Sequence, residues 1–255
     1  MRAIGRAALA ARPVALADAV AEAGLLTRHD RIYFVPHDVF PGVASQLTAP
    51  GRPGGAFRAL SINGRRWFRH HVVHYDTPGL EFYRDRGLEG ERFDASQRLY
   101  EESGTRQFEV KVTGWRGDVV KHRIGLEGAG GSLSASARDL LAEVLDDAYG
   151  LGVPGHFQPV VATDFQRATF TVAGVRITCD AGHTVRDLEA GTSVRADTGV
   201  VRVVTRTAGP PTAADVLLAP FASRGADVAT YRGALGELRP ELPVDALSGA
   251  GRSSR

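Results

Sequence analysis

The stretch that decides the fold is "FEVKVTGWRGDVVKHRI", residues 108–124. In its first half Glu109 and Lys111 alternate with apolar residues, and in its second half Lys121 and Arg123 alternate with two apolar residues and a histidine. Successive side chains of a strand point to opposite faces, so this pattern predicts a β-hairpin with one apolar and one charged face. The GWRGD segment between the halves predicts the turn.

The same alternation recurs elsewhere and leaves two interpretations open. Three further strands have a mostly charged or polar face, which carries Arg92, Asp94, Ser96 and Arg98; Phe165, Arg167 and Thr169; and Arg176, Thr178 and Asp180. A half-exposed antiparallel sheet turns such a face to water. A closed barrel with a polar interior and helices on its apolar outside has the same alternation, which alone does not say which face is inside.

Composition excludes several classes of protein. The chain has 255 residues, of which 43% are hydrophobic, and this is enough for a sizeable core. Its formal net charge of +2 provides no global basic field of the kind that nucleic-acid binders use, so no nucleic-acid partner is expected. The single cysteine, Cys179, excludes an internal disulfide framework and a cysteine zinc cluster.

The N-terminal segment predicts a surface helix rather than a membrane segment. Arg12, Asp18 and Glu22 interrupt its apolar residues, and the chain has no continuous apolar run of about 18 residues. We therefore expect a helix near residues 13–23, no membrane association and a cytoplasmic location.

Local patterns divide the rest of the chain into strands and a few helices. Strands are predicted at 31–36, 91–100, 157–171, 174–180 and 200–207, and a pair within 56–75 is predicted to join at Asn63-Gly64, a strong hairpin signal. Helices are predicted at 136–150, 212–222 and 228–238, and a short helical turn after Thr77-Pro78. The predicted class is α+β, with mostly antiparallel strands.

Five motifs in order resemble one known family. "HYDTPGLEFYRD", an Arg-containing strand, the 108–124 stretch, "FQRATF" and "VRITCD" are similar to the VTC domain of polyphosphate polymerases, within the triphosphate tunnel metalloenzymes. The resemblance implies an antiparallel β-barrel, the triphosphate tunnel fold, clad by helices. It divides the chain into a helical extension at 1–27, a tunnel domain at 28–240 and a disordered tail at 241–255.

The resemblance also implies roles for individual residues. It implies that four cations stand next to the reaction: Arg98, Lys111, Arg167 and Arg176. It implies that four more bind the substrate: Arg92, Lys121, Arg123 and Arg206. The implied substrates are a nucleoside triphosphate and polyphosphate, whose buried charges need many cationic donors.

The chain departs from the family pattern at several of these positions. Asp94 and Ser96 stand where the family has cations, and Val204 stands where a glutamate holds the family's Mn or Mg. The remaining candidate metal ligands are Glu109, Asp180 and Asp30.

Two functions follow from this mixture of matches and departures. The first is a VTC-type polymerase domain that transfers a terminal phosphoryl group to polyphosphate, with an eroded and slow or inactive site. The second is a non-catalytic module on the same fold that binds a polyanion or a protein partner.

Overall fold

A computed structural model describes residues 2–23, 29–51, 54–84, 92–113, 119–127, 133–196, 199–222 and 229–242. The strands are β1 (Pro13–Val14), β2 (His29–Pro36), β3 (Arg58–Leu60), β4 (Phe68–Asp76), β5 (Arg92–Tyr100), β6 (Thr105–Thr113), β7 (Val119–Leu126), β8 (Gln158–Val172), β9 (Val175–Asp187), β10 (Ser193–Arg195) and β11 (Val200–Thr207). The helices are α1 (Arg2–Ala10), α2 (Leu16–Ala23), α3 (Phe40–Thr48), α4 (Glu81–Arg84), α5 (Ala135–Tyr149), α6 (Ala213–Leu218) and α7 (Tyr231–Leu238).

One large antiparallel sheet organises the molecule. Its hydrogen-bonded path runs β2-β11-β9-β8-β4-β5-β6-β7, and every pair along it is antiparallel. Three short strands lie off this path: β10 pairs with β9, β3 pairs with β8, and β1 adds to β3 in parallel. The predicted α+β class with a dominant antiparallel sheet is confirmed.

The sheet curls without closing through hydrogen bonds. Strands β2 and β7 end the path, and no pairing joins them among the described residues. Even so, the charge of Arg206 on β11 acts on Lys121 of β7, six strands away along the path. Only a strongly curved sheet brings these strands close, since neighbouring strands are about 4.8 Å apart. The fold is therefore barrel-like and open, and the fully closed barrel that the resemblance implied does not form in the described part.

The larger apolar core lies between the outer face of the sheet and three helices. Strand residues such as Val35, Phe170 and Val203 pack there because they alternate with the polar positions of the other face. Helix α3 contributes Phe40 and α6 contributes Leu218, and both side chains are fully buried. This layer covers one half of the outer face.

Helix α5 covers the other half of the outer face. Phe108 and Val110 of β6 are fully buried against Leu141 of this helix, as the apolar face of the 108–124 stretch predicts. Ser134 caps the N-terminus by accepting a hydrogen bond from Ala137 N, and Gly150 ends the helix with φ 63°. No helix within the described ranges has the length and apolar composition needed to cross a membrane.

The hairpin prediction is confirmed for 108–124, whereas for 56–75 the turn at Asn63-Gly64 forms but the two strands do not pair. Strands β6 and β7 pair in the register Glu109 with Arg123 and Lys111 with Lys121, and their turn at 114–118 lies outside the described residues. Strands β3 and β4 do not pair with each other; a single bridge between Ile62 and Arg65 is all that forms around Asn63-Gly64. Both strands pair with β8 instead, because its fifteen residues are long enough to bond both.

Candidate functional site

The face of the sheet opposite the two helical layers carries the polar positions, and we call it the inner face. The strand registers place the following residues on it: Asp30, Ile32, Phe68, His70, Val72, His74, Asp94, Ser96, Arg98, Glu109, Lys111, Lys121, Arg123, Phe165, Arg167, Thr169, Arg176, Thr178, Asp180, Arg202, Val204 and Arg206. Most of the charged residues that the sequence singled out therefore lie on one curved surface.

Positive charge exceeds negative charge on the inner face. Its described side chains include eight cations, namely Arg98, Lys111, Lys121, Arg123, Arg167, Arg176, Arg202 and Arg206. Four carboxylates lie among these cations, namely Asp30, Asp94, Glu109 and Asp180, while Asp76 and Asp187 lie on the same face at the end next to helix α7. Away from the α7 end, the described cations therefore outnumber the carboxylates by four, a balance that favours anions over cations on a curved surface.

Asp180 is the centre of the most buried ion cluster. Its carboxylate is fully buried and accepts two parallel hydrogen bonds from Arg167, Nε at 2.6 Å and Nη2 at 2.7 Å. Arg202 Nη1 donates a third at 3.2 Å. Burial alone would raise the pKa of Asp180, but these two guanidinium groups outweigh it and hold the pKa well below its usual range.

Glu109 is the centre of a second cluster on the hairpin. Lys121 Nζ donates to its Oε1 and Arg123 Nε to its Oε2, each at 2.6 Å. Burial would raise the pKa of Glu109, and the two cations override it and lower that pKa. Burial also lowers the pKa of Lys121 to about 7, with the Lys111 and Arg206 cations acting in the same direction and Glu109 opposing them.

Asp30 and Asp94 each form a smaller pair with one neighbouring side chain. Arg206 Nε lies 3.1 and 3.2 Å from the two carboxylate oxygens of Asp30. His74 Nδ1 lies 2.9 Å from Asp94 Oδ1. Burial would raise the pKa of Asp94, but its contacts with His74 and the nearby Lys111 outweigh burial and lower that pKa. Asp94, which stands where the resemblance expects a cation, therefore has cationic or polar neighbours of its own.

Among the described residues, Lys111 and Arg98 have no carboxylate partner. Lys111 makes no hydrogen bond or ion pair with the described residues, and its nearest charged neighbours across the strands are Asp94 and Lys121. Arg98 buries its Nη1 without a hydrogen-bond partner in the described structure. Arg176 lies opposite Arg206, and the side chain of Arg92 lies outside the described residues.

A strip of aromatic rings lies beside these cations. Phe165 stacks on His70 at 5.2 Å and on His183 at 5.1 Å between ring centroids. The guanidinium carbons of Arg167 and Arg98 lie 5.0 and 5.8 Å from the Phe165 centroid, within range of a cation–π contact. Burial lowers the pKa of His70 to about 2, helped by both arginines, so its imidazole is neutral at physiological pH.

Helix α7 lies at one end of the inner face. Tyr231 stacks on His74 with 5.6 Å between ring centroids and donates its hydroxyl to Asp76 Oδ2 at 2.8 Å. The fully buried Asp76 also accepts from the backbone N–H groups of Thr77, Phe82 and Tyr83, which orients α4. This end of the curved sheet is therefore filled by the protein's own side chains.

The residues predicted as metal ligands do not fit a metal site. Glu109, Asp180 and Asp30 lie in three separate ion pairs or clusters, and each already accepts hydrogen bonds from cations. No group of three or more His, Cys, Asp or Glu within the described ranges has a metal-binding arrangement. Val204, which is buried between Thr178 and Ile32 in the register, offers no oxygen where the family has its glutamate. Mg²⁺ and Mn²⁺ require oxygen ligands that converge on one point, and these do not.

Sequence reasoning missed three residues of the inner face. Arg202 shares the face with Arg206 because both belong to the alternation of β11, and this spacing was visible in "VVRVVTRT". His70 and His74 lie on the same face because they are four residues apart in β4. Their partners Phe165 and Asp94 come from other strands, so nothing in the local sequence indicates those contacts.

Two surface grooves lie away from the inner face. One, of about 390 Å³, is lined on the outer face by residues including His71, Tyr75 and Arg106. The other, of about 500 Å³, lies between α3 and α6 and is lined by residues including Gln46 and Leu217. Neither includes a member of the two ion clusters.

Comparisons with known proteins yield distant structural likenesses only. No protein-family model and no curated protein matches the chain. A Hippeastrum protein described as a candidate adenylyl cyclase with a dominant triphosphatase activity is 14% identical, with a TM-score of 0.49, over 81% of this chain and 95% of that one. A Pyrococcus horikoshii protein is 17% identical with a TM-score of 0.43, over 84% and 99%. A Vibrio parahaemolyticus protein described as a candidate adenylate cyclase is 14% identical with a TM-score of 0.41, over 84% and 87%. At these identities and TM-scores the likeness is too distant to assign a family, a substrate or an activity to this chain.

Proposed function

We propose that the inner face binds a short linear phosphate polyanion, of the class of triphosphate or short-chain polyphosphate. The observation that carries the proposal is the excess of positive charge on the inner face away from helix α7, where Lys111 and Arg98 have no carboxylate partner among the described residues. Buried phosphate oxygens need several charge-assisted hydrogen bonds, and arginine and lysine on alternate strand positions supply them.

In this proposal the cations divide into two groups by their role. Arg98 and Lys111 bind phosphate directly, together with Arg167 and Arg176 on β8 and β9. Lys121, Arg123 and Arg206, with Arg92 at the start of β5, extend the contact along the chain of phosphates. The neutral His70 and the ring of Phe165 hold the two arginines beside them in place.

A second candidate is polyphosphate synthesis by phosphoryl transfer from a nucleoside triphosphate. The observation that favours it is that unpaired Lys111 and Arg98 occupy positions where the VTC resemblance expects cations next to the reaction. Phosphoryl transfer needs positioning and charge neutralisation, which these residues supply in part. Radiolabelled polyphosphate formed from ATP with manganese, and lost in Lys111→Ala, distinguishes this candidate from binding alone.

Calorimetric titration with triphosphate tests the binding proposal through Lys111→Ala. We expect this variant to bind more weakly by about 1.5–3 kcal/mol, because it loses one charge-assisted contact. It should fold as stably as the unchanged protein, since Lys111 makes no hydrogen bond or ion pair with the described residues. Arg138→Ala, which removes an exposed cation from α5, is the matched control and should leave the affinity unchanged. Equal affinities of Lys111→Ala and the unchanged protein would contradict the proposed site.

A further inference from the structure

We infer that Glu109 and Asp180 are internal counter-anions of the inner face, which a metal-free phosphate polyanion displaces when it binds. This inference rests on the proposed function and specifies the form of the ligand: free triphosphate or short polyphosphate rather than its magnesium complex. It replaces the metal-ligand role that the resemblance implied for these two carboxylates.

Asp180 occupies its two arginines as a phosphate would. Arg167 approaches with two parallel N–H groups at 2.6 and 2.7 Å, the fork geometry that arginine also offers to phosphate. Arg202 reaches the second oxygen at 3.2 Å. The carboxylate itself is fully buried, so it neutralises two guanidinium groups that lie within the protein.

Glu109 also neutralises two cations, near the edge of the sheet that β7 forms. Each of its carboxylate oxygens accepts a hydrogen bond from one cation at 2.6 Å. The side chain of Arg123 is 41% exposed, whereas those of Glu109 and Lys121 are 10% and 14% exposed. The cluster is thus accessible from β7, the end strand of the hydrogen-bonded path. An incoming phosphate can exchange with Glu109 without opening the core.

These contacts oppose the binding of a divalent cation. Both oxygens of Glu109 already accept from cations, and so do both oxygens of Asp180. A dication brought to either carboxylate would lie beside two positive side chains, and it would have to displace their hydrogen bonds. The cations around Glu109 and Asp180 favour the binding of an anion instead. A phosphate would repel the carboxylate and pair with these cations in its place.

The inference has a consequence for the magnesium complex. Mg²⁺ neutralises two charges of triphosphate, so the complex gains less from the excess of positive charge than the free anion. Affinity should therefore be highest in the presence of a chelator and should fall when magnesium is added. A site in which carboxylates hold the metal would show the opposite order.

Calorimetric titration with sodium triphosphate, at low salt and mildly acidic pH, tests both statements. In EDTA we expect the unchanged protein to bind, and Glu109→Gln to bind about tenfold more tightly, because it releases Arg123 and Lys121 from a competing anion. Glu102→Gln is the matched control. Glu102 also pairs with two arginines, Arg65 and Arg69, but lies in the β5–β6 turn off the inner face, and its loss changes the net charge equally.

Each outcome decides one statement. Binding by the unchanged protein only when magnesium is present, or weaker binding by Glu109→Gln than by Glu102→Gln, would overturn the counter-anion role and leave the proposed function standing. If the unchanged protein binds triphosphate neither in EDTA nor in magnesium, the proposed function itself is wrong. Thermal unfolding with and without triphosphate shows whether Glu109→Gln is folded, and the magnesium comparison on the unchanged protein needs no variant.

Discussion

Lys121 is a cation of the inner face whose pKa is lowered to near neutral pH. Burial, Lys111 and Arg206 lower its pKa to about 7, while Glu109 favours the charged form. Near neutral pH, Lys121 therefore exists in both its charged and its neutral form, whereas the arginines around it stay charged. A polyanion placed among these groups would stabilise the ammonium form and raise the pKa.

This balance predicts a pH dependence of triphosphate binding. The complex holds more protons than the free protein above pH 7, so affinity falls as pH rises, by up to about tenfold per unit until the pKa of the complex is reached. Lys121→Arg keeps its charge throughout and should show a flatter profile in the same titrations. Because protonation of triphosphate itself affects both proteins alike, parallel profiles would show that Lys121 does not take up the proton.

Elements differ in how much of their structure the sequence could predict. The 108–124 hairpin was predictable because its alternation is regular, and its apolar residues do pack under α5. The 56–75 region was not, since the length of β8 decided that both β3 and β4 would bond to it. Likewise the last helix was predicted to begin at residue 228, whereas α7 begins at Tyr231, because Thr230 caps it by accepting a hydrogen bond from Gly233 N.

The same limit applies to the site. Alternation indicated which charges share a face, because that property is local to each strand. It could not indicate that Glu109 would be enclosed by two cations or Asp180 by two arginines, because the Lys121 contact depends on side-chain packing and the Arg202 contact on the pairing of β9 with β11. The prediction of metal ligands was made without that knowledge, and the ion pairs are the physical reason that these carboxylates do not fit a metal.

The hydrogen bond between Tyr231 and Asp76 is expected to hold helix α7 against the sheet. Tyr231→Phe keeps the ring that stacks on His74 and removes only the hydroxyl that donates to buried Asp76. We expect the free energy of unfolding to fall by about 1.5–3 kcal/mol, the range for hydrogen bonds to charged groups. Urea unfolding measures it, with Tyr100→Phe as the control, because the Tyr100 hydroxyl bonds Gln107 over 3.4 Å and should contribute little. Equal losses in the two variants would mean that the Asp76 contact does not hold α7 in place.

The whole molecule is a curved antiparallel sheet with helices on its outer face and charge on its inner face. Helical layers on two halves of the outer face account for the apolar side of the alternation. The curvature gathers the charged positions of the alternation, since it brings cations of β7 and β11 close enough to influence one another. Like charges at such distances raise the free energy of the empty protein, and a bound polyanion relieves that repulsion.

Calorimetric titration of the unchanged protein with triphosphate, at low and at raised salt, shows whether the inner face binds a polyanion through its charges. We predict binding of one triphosphate per chain at low salt and a steep loss of affinity as salt rises, because the attraction is largely between charges that salt screens. Heats no larger than those of dilution at low salt would contradict the central claim that the inner face is a polyanion site. So would an affinity that does not change with salt.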